Sequence, residues 1–140
     1  MNYAVTTDIW ELAEGEYFQA EFMKTVFGHS AWAARLGIYR KIEDSEMEYG
    51  EGLRRWEAGL RWRYFLLETS PHLLFLGGGV DHRPDDNSIT PTGEVGFNLC
   101  FKPAVVSVIG FAGYQVHFHG FGFSKDRWVK GIELRAGFCF

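Results

Sequence analysis

From Arg55 to Leu66 every second residue is apolar, and this period constrains the chain more than any other feature. Trp56, Ala58, Leu60, Trp62, Tyr64 and Leu66 fall on one parity, while Arg55, Glu57, Gly59, Arg61 and Arg63 fall on the other. A helix would gather Leu53, Trp56, Leu60, Tyr64 and Leu67 but strand Trp62, Phe65 and Leu66 on its far side. Period two therefore describes the segment better, and it predicts a strand with one apolar face.

The same alternation recurs. Trp32, Ala34, Leu36 and Ile38 alternate with Ala33, Arg35, Gly37 and Tyr39 over residues 31–42, and Val95, Phe97, Leu99 and Phe101 with Glu94, Gly96, Asn98 and Cys100. Val106, Val108, Ala112, Tyr114, Val116 and Phe118 share a parity over 104–118, with Ser107, Gly113, Gln115 and His117 opposite. Ile132, Leu134, Ala136, Phe138 and Phe140 alternate with Gly131, Glu133, Arg135, Gly137 and Cys139. Less regular strands are expected over 16–27 and 73–82. An eighth is expected near Tyr3–Leu12, although Asp8–Phe27 also reads as a helix capped by Asp8 with Glu11 at its third position. Residues 1–15 are thus open between first strand and short amphipathic helix.

These segments predict an all-β, eight-stranded antiparallel up-and-down barrel in one domain, residues 1–140. Gly28–Ser30, Thr69–His72 and Lys102-Pro103 read as short turns, and Glu43–Gly52, Arg83–Gly93 and Gly120–Arg127 as longer loops. Short turns on one rim and long loops on the other suit a transmembrane barrel.

Alternation alone does not say which face points inward. An exposed strand face gains nothing from glycine, yet the polar parity holds Gly37, Gly59, Gly77, Gly79, Gly96, Gly113, Gly131 and Gly137. Inside a narrow barrel those glycines leave room for long side chains. The charged parity is therefore read as the lumen, with Arg35, Arg55, Arg61, Arg63 and Arg135 meeting Glu21, Glu57, Asp81, Glu94 and Glu133, because enclosed charges must pair. Trp32, Trp56, Trp62, Tyr64, Phe97, Phe101, Tyr114, Phe138 and Phe140 then face lipid, a mixture suited to an apolar band with aromatic girdles. Composition agrees: aromatics are 17% of the chain and glycines number 17, which favours strands with rings on one surface.

The last strand ends in Phe140 with apolar residues at alternate positions back to Ile132. In this it resembles the bacterial outer-membrane β-barrel proteins, and strand tally and polar lumen make it similar to their small eight-stranded OmpA/OmpX type. The resemblance implies localisation in the outer membrane, contact with outer-membrane lipid and lipopolysaccharide, and recognition of the C-terminal strand by the barrel insertion machinery. It implies a structural or interaction role, with another membrane protein as a candidate partner and no open pore, since eight strands enclose a space that side chains fill.

Two rival functions are carried forward. His117-Phe118-His119, with Ser124 and Glu133, offers a base, a nucleophile and an orienting carboxylate, and is faintly similar to the outer-membrane lipid A deacylases, which pair a His with a Ser two residues on. Phe121 stands where that Ser would be, so a lipid-modifying hydrolase is the weaker reading. A soluble lipocalin-like carrier of an apolar ligand is the other.

Net charge is −4, which gives no basic footprint for nucleic acid. No cofactor motif or metal-ligand spacing is present. Glu43, Asp44, Glu46, Glu48 and Glu51, with Asp85 and Asp86, make acidic loops able to bridge lipopolysaccharide through divalent cations, without a calcium-loop spacing. Met1–Thr7 has neither the basic start nor the apolar stretch of a signal peptide, so an exported form would be the mature chain. Cys100 and Cys139 share the lumen parity near one rim and could bridge if the barrel brings them within disulfide range, although a strand between theirs makes the expected separation too large.

Overall fold

A computed structural model describes residues 3–9, 17–40, 54–66, 72–84, 87–118 and 127–140. They form eight strands: β1 Tyr3–Asp8, β2 Tyr17–Phe27, β3 Ser30–Arg40, β4 Arg54–Phe65, β5 His72–Arg83, β6 Ser88–Phe101, β7 Ala104–His117 and β8 Arg127–Cys139. Each strand pairs antiparallel with its sequence neighbours, and β8 pairs with β1, so the wall closes into an up-and-down barrel. The even number of strands brings Tyr3 and Phe140 together at one rim, joined by hydrogen bonds in both directions (3.2 and 2.8 Å).

That rim also carries the connections after β2, β4 and β6, and is called the turn rim. The opposite one is the loop rim. Following the register from Ala4 through Met23, Ala33, Arg61, Gly79, Thr92 and Gly113, one circuit arrives at Val129. Ala4 itself lies opposite Cys139, ten residues further along β8. An offset of this size requires strands steeply inclined to the axis, by about 35–45°.

Several boundaries differ from expectation. Tyr17–Phe27 is strand, not the second half of a helix begun at Asp8: β2 can satisfy its backbone on both sides, from β1 and β3. β1 stops at Asp8, short of Leu12. The long loop expected over Arg83–Gly93 shrinks to Pro84–Asn87, closed by an Asn87 N–H to Pro84 carbonyl bond of 3.2 Å with Asn87 at φ 48°. Thr90–Gly93 joins β6, and Pro91 is accommodated where the β6–β7 register passes from Ile89↔Val116 to Thr92↔Gly113. β8 begins at Arg127 rather than near Gly131, which adds Trp128 to the outer wall.

The cysteines overturn a second expectation. Cys100 and Cys139 are bonded, with Cα atoms 6.9 Å apart. Strand β7 starts only at Ala104, opposite Phe138, so Cys139 lies past its end and donates its N–H to Pro103 in the tight turn (2.7 Å). Val105 of β7 pairs with Cys100, but no β7 residue lies opposite Cys139 itself.

Candidate functional site

The wall is apolar outside and charged inside. Arg35, Arg61, Arg63, Arg135, Glu21 and Glu94 point inward and are buried, Arg63 at 2% exposure and Arg135 at 0%. Their neighbours on the other parity point out: Leu60 is 65% exposed, Trp62 51% and Ile132 78%. Trp56, Tyr64, Phe97, Phe101, Phe138 and Phe140 also lie exposed on the outside. Trp32 and Tyr114 are half-covered there by rings of adjacent strands, Phe22 (5.9 Å) and Trp128 (5.1 Å).

Within the lumen the charges are knitted across strands. Arg35 on β3 donates from Nε to Glu21 on β2 (2.5 Å), and from its terminal nitrogens to Glu133 on β8 (3.1 Å) and Glu94 on β6 (3.4 Å). Arg63 on β4 takes the other oxygens of the first and last of these, Glu21 Oε1 and Glu94 Oε1, each at 2.5 Å. Arg61 pairs with Asp81 (2.5 Å) and reaches Glu94 (3.5 Å). Arg135 bonds Glu133 (3.1 Å), the Thr6 hydroxyl (3.0 Å) and the Gln19 amide oxygen. Towards the loop rim Arg83 pairs with Glu57 (2.7 Å). Isolated, any of these charges would cost several kcal/mol, roughly, to enclose; paired and hydrogen-bonded, they are sustainable.

Glycines make the space. At Gly59 a Cβ would collide with the Asp81 carboxylate, and at Gly96 with the ring of Phe75. That ring lies under the Arg63 guanidinium, 4.8 Å from centroid to Cζ, and edge-on to Phe65 at 5.9 Å. Below the charge layer, towards the turn rim, Met23, Ala31, Ala33, Phe65, Phe75, Val105 and the Cys100–Cys139 bond fill the lumen with apolar matter. Above it, a cavity of about 420 Å³ lies among Asp8, Gln19, Glu57, Asp81, Arg83, Gln115 and Arg127. The lumen is thus a bowl with a salt-bridged floor and an apolar stopper.

Of the hydrolase constellation, the two described members, His117 and Glu133, are not brought together. Glu133 lies opposite Ile109 on β7, eight residues from His117, so about 26 Å of strand separates them at ~3.3 Å per residue. Glu133 is committed to Arg35 and Arg135. His119 and Ser124 lie outside the described residues, as do the side chain of Arg55, the acidic loop Glu43–Glu51, Asp85 and Asp86. Among the described residues no group of His, Cys, Asp or Glu is placed to hold a metal ion.

Sequence reasoning missed Arg83, Thr6 and Phe75 as parts of the lumen, whereas Gln19, set with Glu21 on the polar parity of its strand, is buried there. Parity with Asp81 would have found Arg83, had β5 been carried one residue further. Compared with known protein families, curated proteins and solved structures, the chain matches none of them.

Where side chains are described, the outer wall of the strands carries Lys24, Lys130 and His82 as its basic groups. One hydrogen-bonded row links the two lysines: Lys24, Trp32, Trp62, Gly78, Gly93, Ala112, Lys130. Because the strands slope, that row climbs from near the turn rim to near the loop rim. Six steps of about 4.8 Å at this slope separate the lysines by roughly 17–20 Å in height.

Proposed function

We propose that this chain is an integral outer-membrane β-barrel with a structural or interaction role and no open pore. One observation carries the reading: the outward wall is apolar and aromatic between Lys24 and Lys130, while the guanidinium and carboxylate groups lie inside. In water such a wall would expose an apolar surface far larger than monomers tolerate. In a bilayer it matches the band about 25 Å tall that spanning barrels present, with lysine stems able to reach the headgroups at either edge. The buried disulfide also suits an oxidising envelope compartment.

On this reading the turn rim is periplasmic and the loop rim faces outward. Lipid and lipopolysaccharide surround the wall, and the exposed Phe140 at the end of β8 is available to the insertion machinery. The charge floor and the stopper beneath it argue against conduction. A carrier of an apolar ligand is poorly served by a cavity walled with Asp8, Glu57, Arg83 and Arg127.

Folded barrels of this kind migrate differently on gels before and after boiling, and partition into detergent. We expect both behaviours, together with quenching of Trp56 and Trp62 fluorescence by brominated lipid. A chain that stays monodisperse at high concentration without detergent, with no boiling-dependent mobility, would overturn the proposal.

A further inference from the structure

The bowl above the charge floor is lined unevenly. Inward residues of β7 and β8, Phe111, Val129 and Gly131, make one side of it apolar, while Glu57, Arg61, Asp81 and Arg83 of β4 and β5 make the other side polar. Lower in the lumen the apolar side chains are sealed, Phe75 and Ile109 among them. Phe111 is the next inward residue after Ile109, yet it is only half-covered. Gly131 stands opposite it in the β7–β8 ladder, and a Cβ there would meet Phe111 Cζ at 3.1 Å. The absent side chain lets the ring lean across β8 at the edge of the cavity. A ring left half-bare forgoes the stabilisation that packing against other side chains would give it.

The polar groups around this ring are held in place but not used up. Asp81 keeps 19% of its side chain exposed, Glu133 13% and Arg83 29%, although each is ion-paired. Gln115 is oriented from two sides, donating to Ser88 Oγ and accepting from Arg127, each at 3.2 Å. Buried Arg61 Nε makes no hydrogen bond and reaches Glu94 only at 3.5 Å. The inward charges of the lining also cancel: Arg35 has Glu133, Arg61 has Asp81, Arg83 has Glu57, and Asp8 and Arg127 are of opposite sign. Such a cavity does not select an ion. Donors and acceptors set side by side suit hydroxyl groups, each of which does both, and about 420 Å³ is the size of a small-molecule site.

We propose that the bowl binds a neutral saccharide, with one hexose unit laid against Phe111 and its hydroxyls turned to Asp81, Glu133 and Arg83. A pyranose has the two-sided character of the lining: an apolar face of C–H groups, whose slight positive charge suits the negative face of an aromatic ring, and an edge of hydroxyls. The site needs only the closed wall. That its mouth, beside Asp8, Arg83 and Arg127 at the ends of their strands, opens to the outside of the cell rests on the membrane reading above.

Saturation-transfer NMR on the full chain, folded in a detergent without a sugar headgroup, tests the site. The probes are the methyl glycosides of glucose, galactose, mannose and N-acetylglucosamine, with glucose 6-phosphate as the charged comparison. At least one glycoside should receive saturation, strongest at its ring C–H protons. Phe111→Leu, which stays apolar but removes the ring, should weaken that binding about threefold to tenfold, and Phe111→Tyr should retain it. Displacement of the glycoside by oligosaccharide released from lipopolysaccharide, at lower concentration, would support the site and assign its occupant to the neighbouring lipid; a glycoside that holds its place would support a saccharide from the medium. No transfer to any of the four glycosides, undiminished binding in a heat-modifiable Phe111→Leu barrel, or tighter binding of glucose 6-phosphate than of every neutral sugar would overturn the inference. A heat-modifiable barrel that binds no glycoside defeats this inference alone; a chain that never enters detergent defeats the membrane reading, and the same titration in water then decides the site.

Discussion

At the scale of single residues, Arg63 is the least replaceable side chain described. It holds one oxygen each of Glu21 and Glu94 at 2.5 Å and lies over Phe75. Arg63→Met preserves volume but leaves two enclosed carboxylates short of a partner, so we expect a loss of about 3–5 kcal/mol, read from urea unfolding followed by tryptophan fluorescence. Gly96→Val should cost about 1–3 kcal/mol or more by the same measurement, because the Phe75 ring already occupies the space. Parity marked the charged residues as inward, but which would pair was beyond it. Arg35 and Glu133 are 98 positions apart and meet only because the wall closes.

At the scale of elements, β1 is the weakest part of the wall. It is short, and its ladders run only from Ala4↔Cys139 to Asp8↔Arg135 on one side and from Tyr3↔Lys24 to Thr7↔Ala20 on the other, whereas β6 and β7 pair almost end to end. Backbone amides of Val5 and Thr6 should exchange with deuterium well before those of Val95 and Val108; protection of β1 equal to that of β7 would contradict this. The Cys100–Cys139 bond ties β8 to β6 beneath the same rim and closes a loop of sequence separation 39. Cys139→Ser, which leaves Cys100 free, should lower stability by about 2–4 kcal/mol, and adding reductant to the wild type should reproduce the shift. The expectation of too large a separation between the two cysteines treated strands as flat and endless. At the turn rim β7 simply stops, and the neighbours on either side of it come together.

At the scale of the whole molecule, the predictions concern the medium. Leu60 sits mid-strand on β4 and is 65% exposed. Leu60→Arg should cost about 2–4 kcal/mol if hydrocarbon lies outside, measured as reversible unfolding from lipid vesicles, and almost nothing if water does. In planar bilayers the wild-type barrel should give no steady conductance, since charge floor and apolar stopper fill the section. Much of the architecture was legible beforehand because a strand's period of two is local: Arg55–Leu66 displays its two faces without help from the rest of the chain. Turn lengths were less so, because the Pro84–Asn87 closure depends on β6 having β5 and β7 to pair with.

Sequence alone determined that the chain would form strands and which parity of each would be apolar, since both follow from side-chain alternation along a pleated backbone. Only the tertiary structure decided which arginine met which carboxylate, and that the two cysteines would bond. Those depend on register around a closed wall, and register is set by all eight strands together.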